Sequence, residues 1–140
     1  QALDIKIEFN DRYSQARTYH NLGIVAQELR EYEQARSHYQ QALDIKIEFN
    51  DRYSQARTYG QLGLLAKAQE DYPQAQQHLQ RALEIFVEFN DHYTAKGTLQ
   101  HLAQIYQKTQ DERMLTAIAQ IMNADVEDIR QAFENQGGEG

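Results

Sequence analysis

The sequence predicts an all-α protein, a right-handed solenoid of antiparallel helix pairs with about eight helices. Three observations carry this expectation. The stretch QALDIKIEFNDRYSQARTY fills residues 1–19 and returns unchanged at 41–59. Residues 1–40 and 41–80 agree at 27 positions, so the chain has a forty-residue period. Within each period the apolar residues step by three or four, as one stripe of an α-helix does.

Each period reads as two helices. In the first, Ala16, Tyr19, Leu22, Gly23, Ala26 and Leu29 form the expected inward stripe over residues 12–29. In the second, Tyr32, Ala35, Tyr39, Ala42, Ile45 and Phe49 do the same over 32–49. Acidic Glu31 and Asp71 stand where the second helices start, at the positive end of the helix dipole. Pro73 falls in a first turn, where its missing N–H leaves no bond unmade. EFND recurs at 8–11, 48–51 and 88–91. Asn suits a left-handed helix end and Asp suits the next N-cap, so FND reads as a hinge three times over. Gly23 and Gly63, with Ala26, Ala66, Ala35, Ala75, Ala42 and Ala82, let helix backbones approach closely. A single helical hairpin cannot bury both of its faces, whereas stacked neighbours can.

The expected organisation is one array over residues 1–136. Residues 1–10 are a partial helix. Repeats follow at 11–50, 51–90 and 91–122, then a capping helix at 123–136 and a disordered tail at 137–140. In the cap, Ile118, Ile121, Met122, Val126, Ile129 and Phe133 are placed to close the last apolar layer.

Composition limits the function classes. The chain has 140 residues, 41% of them hydrophobic, and no cysteine, which excludes disulfides and thiolate chemistry. No apolar run approaches the ~20 residues that span a bilayer. Residue 1 already lies inside a repeat, so no leader peptide is read, and a cytoplasmic setting is expected. The net charge is −7, of which −5 falls in residues 111–140, and an acidic balance argues against nucleic acid as a partner. No phosphate loop, nucleophile elbow or HExxH motif is present, so no enzyme is predicted. The five histidines include no pair at the i, i+4 spacing of a helical zinc site, so neither a metal nor another cofactor is expected. The segment 117–133 has the outline of a helix-turn-helix, but Asp125, Glu127 and Asp128 stand where phosphates would lie, which favours a cap.

The motif Tyr19-x2-Leu22-Gly23-x2-Ala26 followed by Tyr32-x2-Ala35-x3-Tyr39-x2-Ala42 resembles the tetratricopeptide repeat. So does Tyr59-x2-Leu62-Gly63-x2-Ala66 followed by Tyr72-x2-Ala75-x3-Leu79-x2-Ala82. The usual period of that family is 34. The forty-residue period resembles a subfamily that includes animal spindle-orientation adaptors and the sensor arrays of bacterial STAND signalling ATPases.

The resemblance implies a non-catalytic scaffold that grips a peptide in a concave groove lined by the first helix of each pair. With the inward stripe fixed, the groove residues are Arg17, His20, Asn21 and Ile24; Arg57, Gln61, Leu64 and Lys67; and Gln100, His101, Gln104 and Lys108. Asn21 matches a peptide-gripping asparagine of the carboxylate-clamp members, although the rest of that clamp is missing. Four cations on this face against Glu28 point to a carboxylate-bearing peptide, which Arg can bind with two parallel bonds. The plainer reading pairs Arg17 and Arg57 with acids of neighbouring helices. Two other readings are self-assembly into a homodimer or stacked superhelix through Leu3, Ile5, Ile7 and Phe9, and a sensor arm regulating a signalling ATPase.

Overall fold

The computed structural model describes the backbone of residues 2–139 and the side chains of residues 11–136. It is entirely helical over the described residues, with seven helices: α1 (Ala2–Glu28), α2 (Tyr32–Glu48), α3 (Arg52–Ala68), α4 (Tyr72–Glu88), α5 (His92–Thr109), α6 (Glu112–Met122) and α7 (Val126–Glu139). Helices α1/α2 and α3/α4 form successive pairs; α5 and α6 follow as a third pair whose buried residues share one cluster with α4, and α7 packs on both.

The count is seven rather than about eight because the first FND is not a hinge. Helix α1 runs unbroken through Asn10 and Asp11. The same letters stop the chain at 49–51, where Asn50 takes φ 55°, and at 89–91, where Asn90 takes φ 57°. Identical local sequence therefore adopts two conformations. The break at 50 is made by packing: α2 folds back against α3 and buries its stripe. Propensity alone is a weak force against that. The expected tail is also helical through Glu139, with Gly140 outside the described residues.

The junctions at 30, 50, 70 and 90 share one geometry. The N–H of the residue after the left-handed position reaches five residues back: Glu31 to Ala26, Asp51 to Lys46, Asp71 to Ala66 and Asp91 to Phe86, all at 2.8–2.9 Å. A second bond runs from the left-handed residue itself, as in Asn50 N–H to Ile47 O at 3.0 Å. This pairing satisfies carbonyls that a helix end otherwise leaves open. Asp51, Asp71 and Asp91 then cap the following helix by accepting from Ser54, Gln74 and Thr94 N–H. Glu31 makes no such side-chain bond, so its expected role reduces to charge. Asp51 and Asp91 also accept the hydroxyls of Tyr13 and Tyr53, which ties each junction to the helix one period earlier.

The pairs close over small residues. A Cβ on Gly23 would stand 2.5 Å from the Tyr39 ring, and one on Gly63 would stand 2.6 Å from Leu79 Cγ. The third pair carries Ala103 and Ala119 at these positions, both buried. The larger the residue on the second helix, the smaller the residue beneath it. At the closed end Met114, Leu115, Ile118 and Phe133 are buried in one cluster with the α4 and α5 core, as expected of a cap.

The expected inward stripe of α1 is only half right. Ala16, Gly23 and Ala26 are buried, but Leu22 and Leu29 are exposed. The Leu22 position is one that α3 and α5 bury, as Leu62 and Leu102, whereas Leu29 matches Gln69 and Thr109, which are exposed too.

Gly63→Ala is expected to lower unfolding free energy by about 1–3 kcal/mol through overpacking against Leu79. Gly60, where a new Cβ meets nothing within 4 Å, should behave oppositely. Gly60→Ala is expected to gain about 0.5–1 kcal/mol from helix propensity. Urea titrations of the two variants check both signs.

Candidate functional site

The residues expected to line a groove lie on α1, α3 and α5, and side-chain contacts join some of them between α1 and α3 and between α3 and α5. Between α1 and α3, Ile24, Gln27, Glu28, Tyr39 and Gln61 line a recess of about 390 Å³. The Tyr39 hydroxyl donates to Gln27 Oε1 at 2.8 Å and reaches Gln61 Oε1 at 3.5 Å. Burial raises the Tyr39 hydroxyl pKa to about 12, so it stays a donor across the physiological range. Tyr39 belongs to α2 and was read from sequence as core alone. Its ring is core, and its hydroxyl, fully covered, lies beneath this face bonded to Gln27 and Gln61.

Between α3 and α5, Lys67 Nζ donates to Gln104 Oε1 and lies 3.1 Å from His101 Nδ1. Three predicted site residues thus come together. Burial lowers the pKa of both Lys67 and His101, and the lysine charge pushes His101 further the same way. A neutral His101 accepts the lysine proton, which is the state this contact needs.

The other positions divide. Arg17, Asn21, Arg57, Gln100 and Lys108 are exposed, and Leu64 is half-buried. Among the described residues neither Arg17 nor Arg57 has an acidic partner. The ion pairs are formed instead by Arg12 with Glu48 at 3.1 Å and Arg52 with Glu88 at 2.5 Å, one period apart. Gln107, at the end of this face, donates to Phe133 O at 2.6 Å and so serves the cap. On α7, Arg130 is held by Glu112 at 2.5 Å and Glu127 at 3.2 Å, so it presents no free cation.

His20 differs most from expectation. It is 9% exposed, packed at 5.7 Å against Tyr39, and its Nδ1 has no hydrogen-bond partner among the described residues. Its neighbour in charge is a residue that sequence reading missed. Lys46 sits at a core position that the next pair fills with Phe86. Its Nζ donates to Thr58 Oγ1 at 2.8 Å and Ser54 O at 3.3 Å. The signal was available in the sequence, since lysine and phenylalanine occupy matching places one period apart. Burial, then the Arg57 charge, lowers the Lys46 pKa to about 8. Burial, then the Lys46 and Arg57 charges, lowers His20 to about 4.

A recess of about 670 Å³ also lies on the opposite side, between α2 and α4 over α3. Arg36, Gln40, Tyr59, Leu62, Gln77 and Arg81 are among its lining residues. Arg81 lies 5.9 Å from the centre of the Tyr59 ring and pairs with Glu84 at 2.9 Å, so its charge is already engaged. Among the described residues no three of His, Asp or Glu gather as a metal site would require. No described helix is long and apolar enough to cross a membrane.

Stacked helical hairpins with a polar face on their first helices define a helical-repeat interaction scaffold. The chain belongs to the tetratricopeptide repeat family, whose pattern it matches over residues 1–48, 14–88 and 54–114. Proteins of this family generally mediate protein–protein interactions. Comparison with curated protein sequences gives no match.

The Lys46 plug makes a pH prediction. Its pKa is lower folded than unfolded, so the folded state holds fewer protons between about 8 and the ordinary lysine value of 10.5. Stability must then rise with pH across that window, the full penalty being present below it. Lys46→Met is expected to raise stability by about 1–3 kcal/mol at neutral pH. It should also flatten the rise, as denaturant melts at pH 7 and pH 10 would show.

Proposed function

We propose that the face formed by α1, α3 and α5 binds a peptide segment bearing carboxylates, and that the chain works as a non-catalytic scaffold. The observation that carries this is the set of uncommitted cations. Arg17 and Arg57 stand exposed without an acidic partner among the described residues, on the same two helices, α1 and α3, that supply Ile24, Gln27, Glu28 and Gln61 to the recess over Tyr39. Guanidinium groups there offer two parallel donors to a carboxylate, and the amides offer partners to a peptide main chain. Lys67, steered by His101 and Gln104, adds a third charge. The forty-residue period supports reading the chain within the adaptor and sensor subfamily that its sequence resembles.

Self-association through Leu3, Ile5, Ile7 and Phe9 concerns side chains outside the described residues, and no described contact favours it over peptide binding.

The test is titration of fluorescein-labelled glutamate- and aspartate-rich peptides, followed by anisotropy. Replacing Arg17, Arg57 and Lys67 together with alanine is expected to weaken the best binder by about tenfold or more per charge-assisted bond lost. Circular dichroism should be unchanged. Equal binding by the triple variant would reject the groove assignment.

A further inference from the structure

The seam between the first and second pairs gathers three basic residues that the next seam lacks. They are His20 on α1, Lys46 on α2 and Arg57 on α3. One period later their places are held by Gly60, Phe86 and Gly97, none of them charged. The polar frame around them is kept. Tyr13, Asp51, Ser54 and Thr58 are matched by Tyr53, Asp91, Thr94 and Thr98, and the tyrosine closes on the aspartate at both seams. The basic set is therefore an addition to a frame that stands without it.

The charges in this set do not balance. Lys46 is 8% exposed, and its ammonium carries three N–H groups. Two of them go to uncharged oxygens, Thr58 Oγ1 at 2.8 Å and Ser54 O at 3.3 Å. No carboxylate pairs with Lys46 among the described residues. Asp51 is the acid whose charge reaches it, but the Asp51 oxygens already accept from the Tyr13 hydroxyl and the Ser54 N–H. Arg57, next in the chain to Thr58, adds a second positive charge that both Lys46 and His20 feel. Two positive charges thus face one negative. His20 contributes a buried Nδ1 with no hydrogen-bond partner among the described residues. Its ring packs on Tyr39, which shares one face of α2 with Lys46 two turns on. A buried charge without a counter-charge is costly, and so is a buried polar atom without a partner.

We propose that Lys46, Arg57 and His20 form a site for one small monovalent inorganic anion, chloride, at the first seam. One such ion cancels the excess charge. It takes the third N–H of Lys46, the Arg57 guanidinium approaches it from α3, and His20 donates to it from Nδ1 in the tautomer that carries its proton there. Two of the three groups are more than nine-tenths buried, which suits a bare ion and not the carboxylate of a peptide. Arg57 is common to this site and to the groove, whereas Lys46 and His20 lie beneath the groove face. The ion would act as a removable pin between the first two pairs.

The probe is chloride itself, exchanged for gluconate at fixed ionic strength in urea melts of the intact chain at neutral pH. An ion held only by the folded chain raises the folded-to-unfolded ratio about tenfold for each tenfold rise in concentration above its Kd. That slope is expected for the parent chain and is expected to vanish in Lys46→Met, which an apolar interior accommodates. The advantage of Lys46→Met over the parent should accordingly shrink as chloride rises. Broadening of the chloride NMR line by the folded chain gives a direct reading; nitrate should relieve it, and Lys46→Met should lack it. Arg57→Gln, an exposed change, should raise the Kd for chloride. Arg17→Ala combined with Lys67→Ala should leave both signals intact, which separates this site from the groove and its peptide. Stability that ignores chloride, or a chloride response that survives in Lys46→Met, overturns the proposal. So does loss of the response in the Arg17 and Lys67 variant, because the groove cations would then hold the ion.

Discussion

The close approach of the two helices in each pair is the constraint on which the rest of the structure depends. Gly23 lies under Tyr39 and Gly63 under Leu79, each too close to accept even a methyl group. Because the helices meet there, Ala35, Ala42, Ala75 and Ala82 can also be buried completely. The pair becomes thin enough for the next pair to lie against both of its helices. Tyr39 shows how this acts on the polar layer above. A ring pressed onto a glycine sends its hydroxyl across the layer to Gln27 and Gln61. A packing requirement in the core thus fixes the amides that lie over it, although the hydroxyl itself stays buried.

The second organising device is the junction. A left-handed residue, two backward backbone bonds and an Asp cap turn the chain in three residues. The tyrosine of the preceding pair closes on that Asp. The turns at 50 and 90 are thus each held from one period away. The identity of the left-handed residue matters less, since Arg30, Glu70 and Gln110 serve there as well as Asn50, Asn90 and Asn123. Residues other than glycine and asparagine are strained in that region. The two backbone bonds and the burial on either side of the turn offset that strain.

Most of the fold was legible in the sequence because periodicity records burial. Spacing alone places the glycines of the first helices and the alanines of the second inside, and they are buried. Two kinds of feature were not. The Asn10–Asp11 break was expected because letters were taken to fix conformation. The unbroken α1 shows that the same letters turn only where helices on both sides have a stripe to bury. The exposed Leu22 was expected to be core because a stripe says which residues are apolar, and not which neighbour is there to cover them. The candidate site was legible in part. Lys67, His101 and Gln104 were placed on one face by helical geometry and meet there. His20 was placed on that face and lies beneath it. One helical step moves a side chain by 100°, and the thickness of the layer above it depends on Tyr39 from another helix.

The Lys46 plug gives the stack an unequal grain. Where the first and second pairs meet, an ammonium group and an orphaned imidazole nitrogen share the interior. Where the second and third meet, Phe86 packs edge-on against Tyr53 at 5.7 Å and the apolar core is continuous through to the cap. Nearest-neighbour coupling governs how repeat arrays come apart. Under load or rising temperature this chain has a built-in parting line, and it lies at the first seam. The third pair and its cap would hold together after α1 and α2 have peeled away, so one end of the scaffold can yield to a partner while the other keeps its shape.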